Sequence, residues 1–474
     1  MRIRRVKIVQ IIKWLIIFVP TFIATVHFFK LHDKINARKK YLSENLHVDK
    51  HNQFSQKCLQ TISQLQIQPM LNIFQPFFTK NVSFLLFNAY YDNRKALKNL
   101  HQIRILIYVT KFEFTAEIYC QFWYENQKLP KISKVKDFRL IWNKNWDQNI
   151  NGLSPYLLSC EVDENEKDLP TFVSLVESPC DNANNKLKII NDETEEKKNF
   201  LVCVKGMKFY DVKMALILTE WIEIVKILGA DKILFYVIDV GKEFFQILKH
   251  YELKKFAEII EIKFPLQNLN KSEEKLQEMM HDLIAYNDCF YRNVNNFKFL
   301  VPIDVDEFIM PIIDKSWMEL LSKSKNSSTH LYPNETFDAF AYRNAFFLLT
   351  NNHADEIQSE VPENFHFLQH IYRAANHNEN SKHTKAFMEM ENILTVHNHM
   401  PLECFENGKC KTFLGDRKTG QVQHYREKCE NYKECDDYTF NTVRDDNLWR
   451  FKDEIINGVY GAIREIFGDD SLLN

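Results

Sequence analysis

Glycine is scarce in this chain, at 10 of 474 residues, while phenylalanine is plentiful, at 38. That balance excludes low-complexity disorder and favours a large packed core. An excess of one charge sign is also missing. The formal net charge is −2, and no basic stripe with interleaved aromatics runs along the chain, which argues against nucleic acid as a partner. No internal repeat is found, so a repeat architecture is excluded. The length suits two or three domains.

The N-terminus carries an address. Met1 to Lys7 is strongly basic, and Ile8 to Phe29 is apolar, broken only by Gln10, Lys13 and His27. Lys13 lies close enough to the basic end to snorkel to an interface. The run is long enough to cross a bilayer, and the positive-inside bias puts residues 1–7 in the cytosol. The rival is a cleaved signal peptide. No small-x-small cleavage site follows cleanly, since Val26-His27-Phe28-Phe29 is bulky. The expectation is a cytosolic tail over 1–7, an uncleaved transmembrane signal anchor over 8–29, a stem over 30–80 and a lumenal body beyond. The ten cysteines, an even count, suit disulfides in an oxidising compartment. Four glycosylation sequons, at Asn81, Asn270, Asn326 and Asn334, agree with that address. Cys404, Cys410, Cys429 and Cys435 cluster near His397, His399 and His424, but without the tight pairs that zinc sites prefer. One or two disulfides are expected there instead of a zinc knuckle.

Residues 81–180 hold alternating β-prone stretches, such as Ile103 to Val109 and Ala116 to Tyr124, and read as a smaller β-rich domain. Residues 181–198 are polar and charged and read as a linker. From 199 to 474 the hydrophobic period alternates. Asn199 to Lys205 is a short apolar strand. Met214, Ile217, Leu218, Trp221, Ile222, Val225 and Leu228 recur at helical spacing, with Asp211 as N-cap and Gly229 as stop. Ile233 to Ile238 is a strand, Phe244, Ile247, Leu248 and Tyr251 a helix face, and Ile259 to Phe264 a strand. Leu276, Met279, Met280, Leu283, Ile284 and Phe290 mark a longer helix. This alternation predicts an α/β fold with a doubly wound, mostly parallel sheet.

The last strand of the series, Phe299 to Ile303, runs into Asp304-Val305-Asp306-Glu307. Residues i and i+2 of a strand point the same way, so Asp304 and Asp306 are predicted to present two carboxylates at a strand's carboxyl end, where ligands collect in open α/β sheets. Two hard oxygen donors there suit Mn²⁺ or Mg²⁺ bound together with substrate phosphates. Nucleotide-sugar glycosyltransferases carry such an Asp-x-Asp motif. A near copy, Glu161-Val162-Asp163-Glu164, reads as a solvated loop.

Several blocks, in order, resemble glycosyltransferase family 92, formerly domain of unknown function 23 and abundant in nematodes. They are Asn88-Ala89-Tyr90-Tyr91-Asp92-Asn93-Arg94 with Ile103-Arg104-Ile105 and Cys120-Gln121-Phe122-Trp123; Cys203-Val204 with Glu220-Trp221-Ile222-Glu223, Leu228-Gly229-Ala230 and Phe235-Tyr236; Asn287-Asp288-Cys289-Phe290-Tyr291-Arg292 with the acidic stretch to Pro311; and Lys385, Val396-His397 and His424-Tyr425-Arg426 with Cys429. The resemblance covers residues 84–430. It implies a GT-A-like domain, a UDP-galactose donor, Mn²⁺ (or Mg²⁺), and transfer with inversion onto a glycan acceptor; the N-terminal address adds the expectation of a single-pass, lumenal Golgi enzyme. By position it implies Asp304 and Asp306 as the metal and diphosphate site, His397 as a late metal ligand with His399 as the alternate, and Lys385 and Arg426 as neutralisers of the leaving diphosphate. Glu223 would match an acid of the second block, or else be merely solvated. After Cys203 the chain departs from the family, reading Lys-Gly-Met-Lys-Phe-Tyr where a Pro-containing apolar turn is commoner. The polar stretch Asn376 to His383 marks an acceptor loop of this chain's own.

An inverting transfer also needs a general base. Glu307, beside the acids, and Asp338 are the candidates. The alternatives in other classes are a catalytically inactive lumenal glycan-binding protein of the same fold and a metal-dependent phosphate-ester hydrolase. The oligomeric state is not legible.

Overall fold

The computed structural model describes residues 68 and 71–468, apart from 99, 144–145, 147–151, 164–167, 266, 268, 350–359, 379–382, 406–407 and 430–434. The expected tail and anchor, and most of the expected stem, lie outside the described residues. Among the described residues no helix is long and apolar enough to cross a membrane.

The β-rich unit is an eight-stranded sheet. Its strands are β1 (Gln75–Phe78), β2 (Ser83–Asp92), β3 (His101–Val109), β4 (Tyr119–Trp123), β5 (Lys131–Leu140), β6 (Ser154–Val162), β7 (Phe172–Val176) and β8 (Leu187–Ile190). The order is β1-β2-β3-β6-β5-β4-β7-β8, and β8 returns to pair with β2, which closes the circuit. Closure leaves fewer of the exposed edges that invite aggregation, with β1 paired to β2 on the outside of the circuit. The unit is larger than expected. β1 replaces the end of the stem, and β8 falls where 181–198 was expected to be a linker, because Leu187, Ile189 and Ile190 have a sheet face to bury. The near copy of the acid motif is not a loop throughout: Glu161 and Val162 end β6, and Glu161 pairs with Lys136 at 2.9 Å.

The second sheet has nine strands. They are β9 (Lys198–Phe209), β10 (Lys232–Val240), β11 (Ala257–Glu261), β12 (Phe297–Pro302), β13 (Glu307–Pro311), β14 (Ala339–Leu348), β16 (Thr384–Glu389), β19 (Thr412–Leu414) and β20 (Gly420–Arg426). Small ladders pair β15 (Tyr372–Ala374) with β21 (Thr442–Arg444) and β17 (Ile393–Val396) with β18 (Pro401–Cys404). The order is β11-β10-β9-β12-β16-β14-β20-β13, with β19 beside β14. The first four strands are parallel, as the alternating periods predict. Beyond β12 the sheet is mixed, since β16 runs antiparallel to both β12 and β14.

Alternate side chains along β9 enter two different cores. Phe200, Val202 and Val204 face a core that includes Trp221 and Trp317. Leu201 and Cys203 face one shared with the first sheet. Both faces of the strand are thus covered, which explains its unbroken apolar run. The expected helices form. Helix Val212–Leu228 starts where the Asp211 side chain accepts from the Lys213 amide at 2.9 Å, and it stops at Gly229, whose φ of 115° suits glycine. Helix Lys242–Leu253 buries Phe244, Ile247, Leu248 and Tyr251, the predicted face. Helix Lys271–Asn293 opens on a capping box made by Asn270 and Glu273. Glu223 is not solvated. It is buried and accepts from Tyr251 Oη at 2.7 Å and Lys226 Nζ at 2.9 Å.

Disulfides Cys120–Cys160, Cys203–Cys289, Cys404–Cys410 and Cys429–Cys435 are formed, and Cys180 is also disulfide-bonded. The C-terminal four contribute two bridges, as expected, so no thiolate remains there for zinc.

The first block of the family resemblance is structural. Asp92 is fully buried and accepts from Arg94 Nε at 2.8 Å and Arg104 Nε at 3.0 Å. Arg94 Nη1 donates on to the carbonyls of Met390 and Ile393, at 2.6 and 2.5 Å, and so ties the first sheet to the second unit. Burial alone would raise the Asp92 carboxyl, but the two guanidiniums outweigh it and hold it well below the usual carboxylate range. Its contribution to stability should therefore be complete above about pH 4 and should drain as the pH falls further. Asp92→Asn should cost roughly 3–5 kcal/mol at neutral pH, because two buried cations lose their counter-charge. It should also flatten the acid limb of a stability-versus-pH profile, measured by denaturant unfolding. A variant with an unchanged acid limb would refute this.

Candidate active site

Strand order places the site. From β9 the sheet grows one way through β10 and β11 and the other way through β12. The carboxyl ends of β9 and β12 therefore flank a topological switch point, where a crevice opens for ligands. The acids lie there, with one difference from expectation. β12 ends at Pro302, so Asp304 and Asp306 stand in the turn between β12 and β13 and not on a strand face. The turn aligns them. The Glu307 amide donates to the Asp304 carbonyl at 3.2 Å, and the Glu307 carboxylate accepts from the Asp304 amide at 3.1 Å. Trp221 Nε1 fixes the Glu307 carbonyl at 2.8 Å, and the Tyr425 amide fixes the Asp306 carbonyl at 2.8 Å. These two contacts give the second and fourth blocks of the resemblance a physical role.

Carboxylate oxygens of Asp304, Asp306 and Glu307 lie within 4.8 Å of one another. They line a cavity of about 430 Å³ together with Lys205, Asn344, Lys385, His399, His424 and Arg426. Lys385, from β16, is buried; its Nζ sits 2.7 Å from Glu307 Oε1 and 3.7 Å from Asp304 Oδ2. Lys205, from β9, lies 3.5 Å from Asp304 Oδ1 and 3.4 Å from Asp282 Oδ2. His424, from β20, reaches Asp306 Oδ2 at 3.4 Å through Nε2 and Glu307 Oε2 at 3.5 Å through Nδ1.

The electrostatics follow from this crowding. Burial would raise the Asp304 carboxyl, but Lys385, Lys205 and His424 together hold it well below its usual range. Burial, then the neighbouring Asp304 and Asp306 carboxylates, push Glu307 up against the pull of Lys385. Lys385 stays an ammonium, because Glu307 and Asp304 outweigh its burial. His424 is raised by Asp306 and Glu307 against burial, which favours its charged form.

The donor set fits a hard divalent cation. All three close ligand groups are carboxylates, and the buried oxygens Asp304 Oδ1 and Glu307 Oε2 carry no hydrogen bond among the described residues. The second close group, Asp338 with Cys404 and Cys410, has its sulfurs in a disulfide and offers no thiolate.

Other expected residues fall elsewhere. His397 is not brought to the acids. It is buried edge-on against Trp146, 4.8 Å between ring centroids, and lines a neighbouring cavity; burial lowers it to about 3. His399 reaches both cavities, with Nδ1 2.9 Å from the Thr384 carbonyl. Asp338 stands at the far end of β14, where it accepts from Asn392 Nδ2 at 2.6 Å and the Lys411 amide at 2.7 Å. It pins a loop and is outside the cavity. Two residues at the acids, Lys205 and His424, were not predicted there, nor was Asp282, which pairs with Lys205 from the neighbouring cavity. Lys205 opens the Lys-Gly-Met-Lys stretch, and β9 runs through that stretch to Phe209. The polar stretch of Asn376 to His383 is described only in part; 379–382 lie outside the described residues.

Removing the buried cation should expose the cost of this arrangement. Lys385→Met should destabilise the protein by roughly 3–5 kcal/mol, because Glu307 loses its partner. Adding Glu307→Gln should recover part of that loss. Equilibrium unfolding of the two single variants and the double variant measures the coupling, and additive losses would overturn the pairing.

The comparisons with known proteins agree with this architecture only at the level of family. No curated protein matches the chain. Among solved structures it is similar to residues 1–349 of S. aureus TarS in complex with UDP-GlcNAc, at 10% identity and a TM-score of 0.27, over 58% of this chain and 69% of that one. A likeness this low carries no argument. The sequence model of glycosyltransferase family 92 matches residues 198–458, which is more than half of the 474 residues. The matched stretch contains the whole acid cluster with its lysines and histidines, and the chain belongs to glycosyltransferase family 92.

Proposed function

We propose that this glycosyltransferase has a GT-A-type catalytic domain and moves galactose from UDP-galactose to a glycan acceptor with inversion, with Mn²⁺ or Mg²⁺ held by Asp304 and Asp306 and assisted by Glu307. The observation that carries the reading is the single cavity in which three carboxylates meet Lys205, Lys385, His424 and Arg426 at the sheet's switch point. When bound, the cation supplies Lewis-acid stabilisation of the diphosphate oxygens. The chain's own cations do the remaining electrostatic work. Lys205 and Arg426 line the cavity and offset charge that grows on the departing UDP. Lys385 keeps Glu307 and Asp304 from repelling one another. The disulfides and the exposure of Asn81, Asn270, Asn326 and Asn334 support a lumenal body, and with the basic N-terminus a single-pass Golgi enzyme.

The test uses the full chain with a panel of UDP-sugars over a glycan acceptor array. UDP-galactose should be the productive donor, and a chelator should abolish transfer. Asp304→Asn and Asp306→Asn should each lower turnover by roughly two to three orders of magnitude, the size expected when a stabiliser of transition-state charge is lost. Asp163→Asn should change nothing. Transfer that persists in chelator would remove the metal from the scheme, and preference for another UDP-sugar would remove galactose.

A further inference from the structure

A second cavity, of about 500 Å³, adjoins the acid cluster and shares Lys205, His383, Asn398 and His399 with it. Its character differs. Trp142, Leu276, Met279, Leu283, Tyr286 and Met400 give it an aromatic and apolar wall. Asp282 is the one carboxylate among its described lining residues. An apolar pocket with a few convergent polar groups is the usual form of a small-molecule site, and a sugar ring presents both kinds of surface. The pocket is built by both units. Trp142 comes from the segment between β5 and β6, and Asp282 and Tyr286 come from helix Lys271–Asn293.

The two cavities meet at Lys205. Its ammonium stands between Asp304, on the diphosphate side, and Asp282, on the other. In an inverting displacement the leaving group and the incoming hydroxyl lie on opposite sides of the anomeric carbon. The base belongs on the hydroxyl's side, within reach of its proton. Glu307 is badly placed for this, since Lys385 and the Asp304 amide hold its Oε1 on the diphosphate side. Asp338 is tied to Asn392 and Lys411 elsewhere.

We infer that the second cavity is the acceptor subsite and that Asp282 is the general base that receives the proton of the acceptor hydroxyl. The inference rests on the inverting transfer proposed above. In the step, the acceptor oxygen forms a bond to the anomeric carbon while the bond from that carbon to the β-phosphate oxygen breaks. The bonding pair leaves with UDP, and the hydroxyl proton passes to the Asp282 carboxylate. Burial, partly offset by Lys205, raises that carboxyl to about 6, which suits a group that must accept a proton near neutral pH and release it again. Trp142 offers its ring as a platform for the acceptor sugar.

The experiment compares full-length wild type with Asp282→Asn, Asp282→Glu and Trp142→Ala. The probes are UDP-galactose, UDP alone and the acceptor of highest turnover from the glycan array. Asp282→Asn should lose roughly 10²–10⁴-fold in kcat, with UDP affinity kept, and Asp282→Glu should restore part of the rate. Trp142→Ala should raise the acceptor KM severalfold and leave the donor KM unchanged. Retained UDP affinity also reports that the variants fold. Near-wild-type kcat in Asp282→Asn overturns the base, and an unchanged acceptor KM in Trp142→Ala overturns the subsite. A wild type that transfers no sugar to any acceptor instead overturns the reading beneath both.

Discussion

Everything at the site depends on one buried carboxylate that takes no part in it. Asp288 is fully buried on helix Lys271–Asn293. It accepts from Asn88 Nδ2 at 2.8 Å, Arg292 Nε at 2.6 Å and the hydroxyls of Tyr90 and Tyr236. Asn88 and Tyr90 belong to β2, and Tyr236 to β10, so one side chain joins the helix to both sheets. A buried charge with all its partners in place rigidifies what it joins, and the loss of any partner is costly. One residue further on, the Cys203–Cys289 disulfide ties the same helix to β9. β9 carries Lys205, and the helix carries Asp282 and Tyr286. The placing of Lys205, Asp282 and Tyr286 relative to one another is thus set in the core.

The acid turn is held with the same economy. Three carboxylates crowded together would repel, and a loop bearing them would open. Lys385 prevents this from inside the sheet, His424 from the facing strand, and Lys205 from the edge of the cleft. The register Glu307↔His424 between β13 and β20 makes the second contact unavoidable once the strands pair. Trp221 and Trp317 hold the β13 backbone from the helical side, through the Glu307 and Ile309 carbonyls at 2.8 and 2.7 Å. A site built this way is organised before any ligand arrives, and that lowers the reorganisation needed during reaction.

How far the sequence could be read follows from the range of each interaction. Helix faces and parallel strands are local patterns, so Phe244, Ile247, Leu248 and Tyr251 could be named as a buried face from spacing alone. Asp304 and Asp306 were legible because an apolar run ends at them. The turn itself was not, since the strand stops at Pro302 and no local signal separates a last strand residue from the turn after it. His424 and Lys205 reach the acids through pairings across about 120 and 100 residues of chain, and Asp282 meets Lys205 across about 80, separations that periodicity does not encode. Asp282 is the clearest case. Its neighbours on the helix, Leu283 and Ile284, are core, and an acid beside a core stripe ordinarily faces water. His397 and Asp338 show the converse: residue types that suit the chemistry, placed by the fold against Trp146 and the Lys411 amide.

The first unit is therefore more than an appendage to the second. It could have packed against the second through apolar contacts alone. Instead Arg94 reaches the Met390 and Ile393 carbonyls, and Arg139 pairs with Glu403 at 2.8 Å. Directional contacts of this kind fix orientation, where apolar burial fixes only proximity. Orientation matters because Trp142 closes the cavity that Asp282 opens. A β-rich unit free to rock would move that wall relative to the acid, and even a small misplacement at a reacting centre is costly to rate. The polar ties between the two units, one buried at Arg94 and one half-exposed at Arg139, hold the walls of that cavity in one orientation.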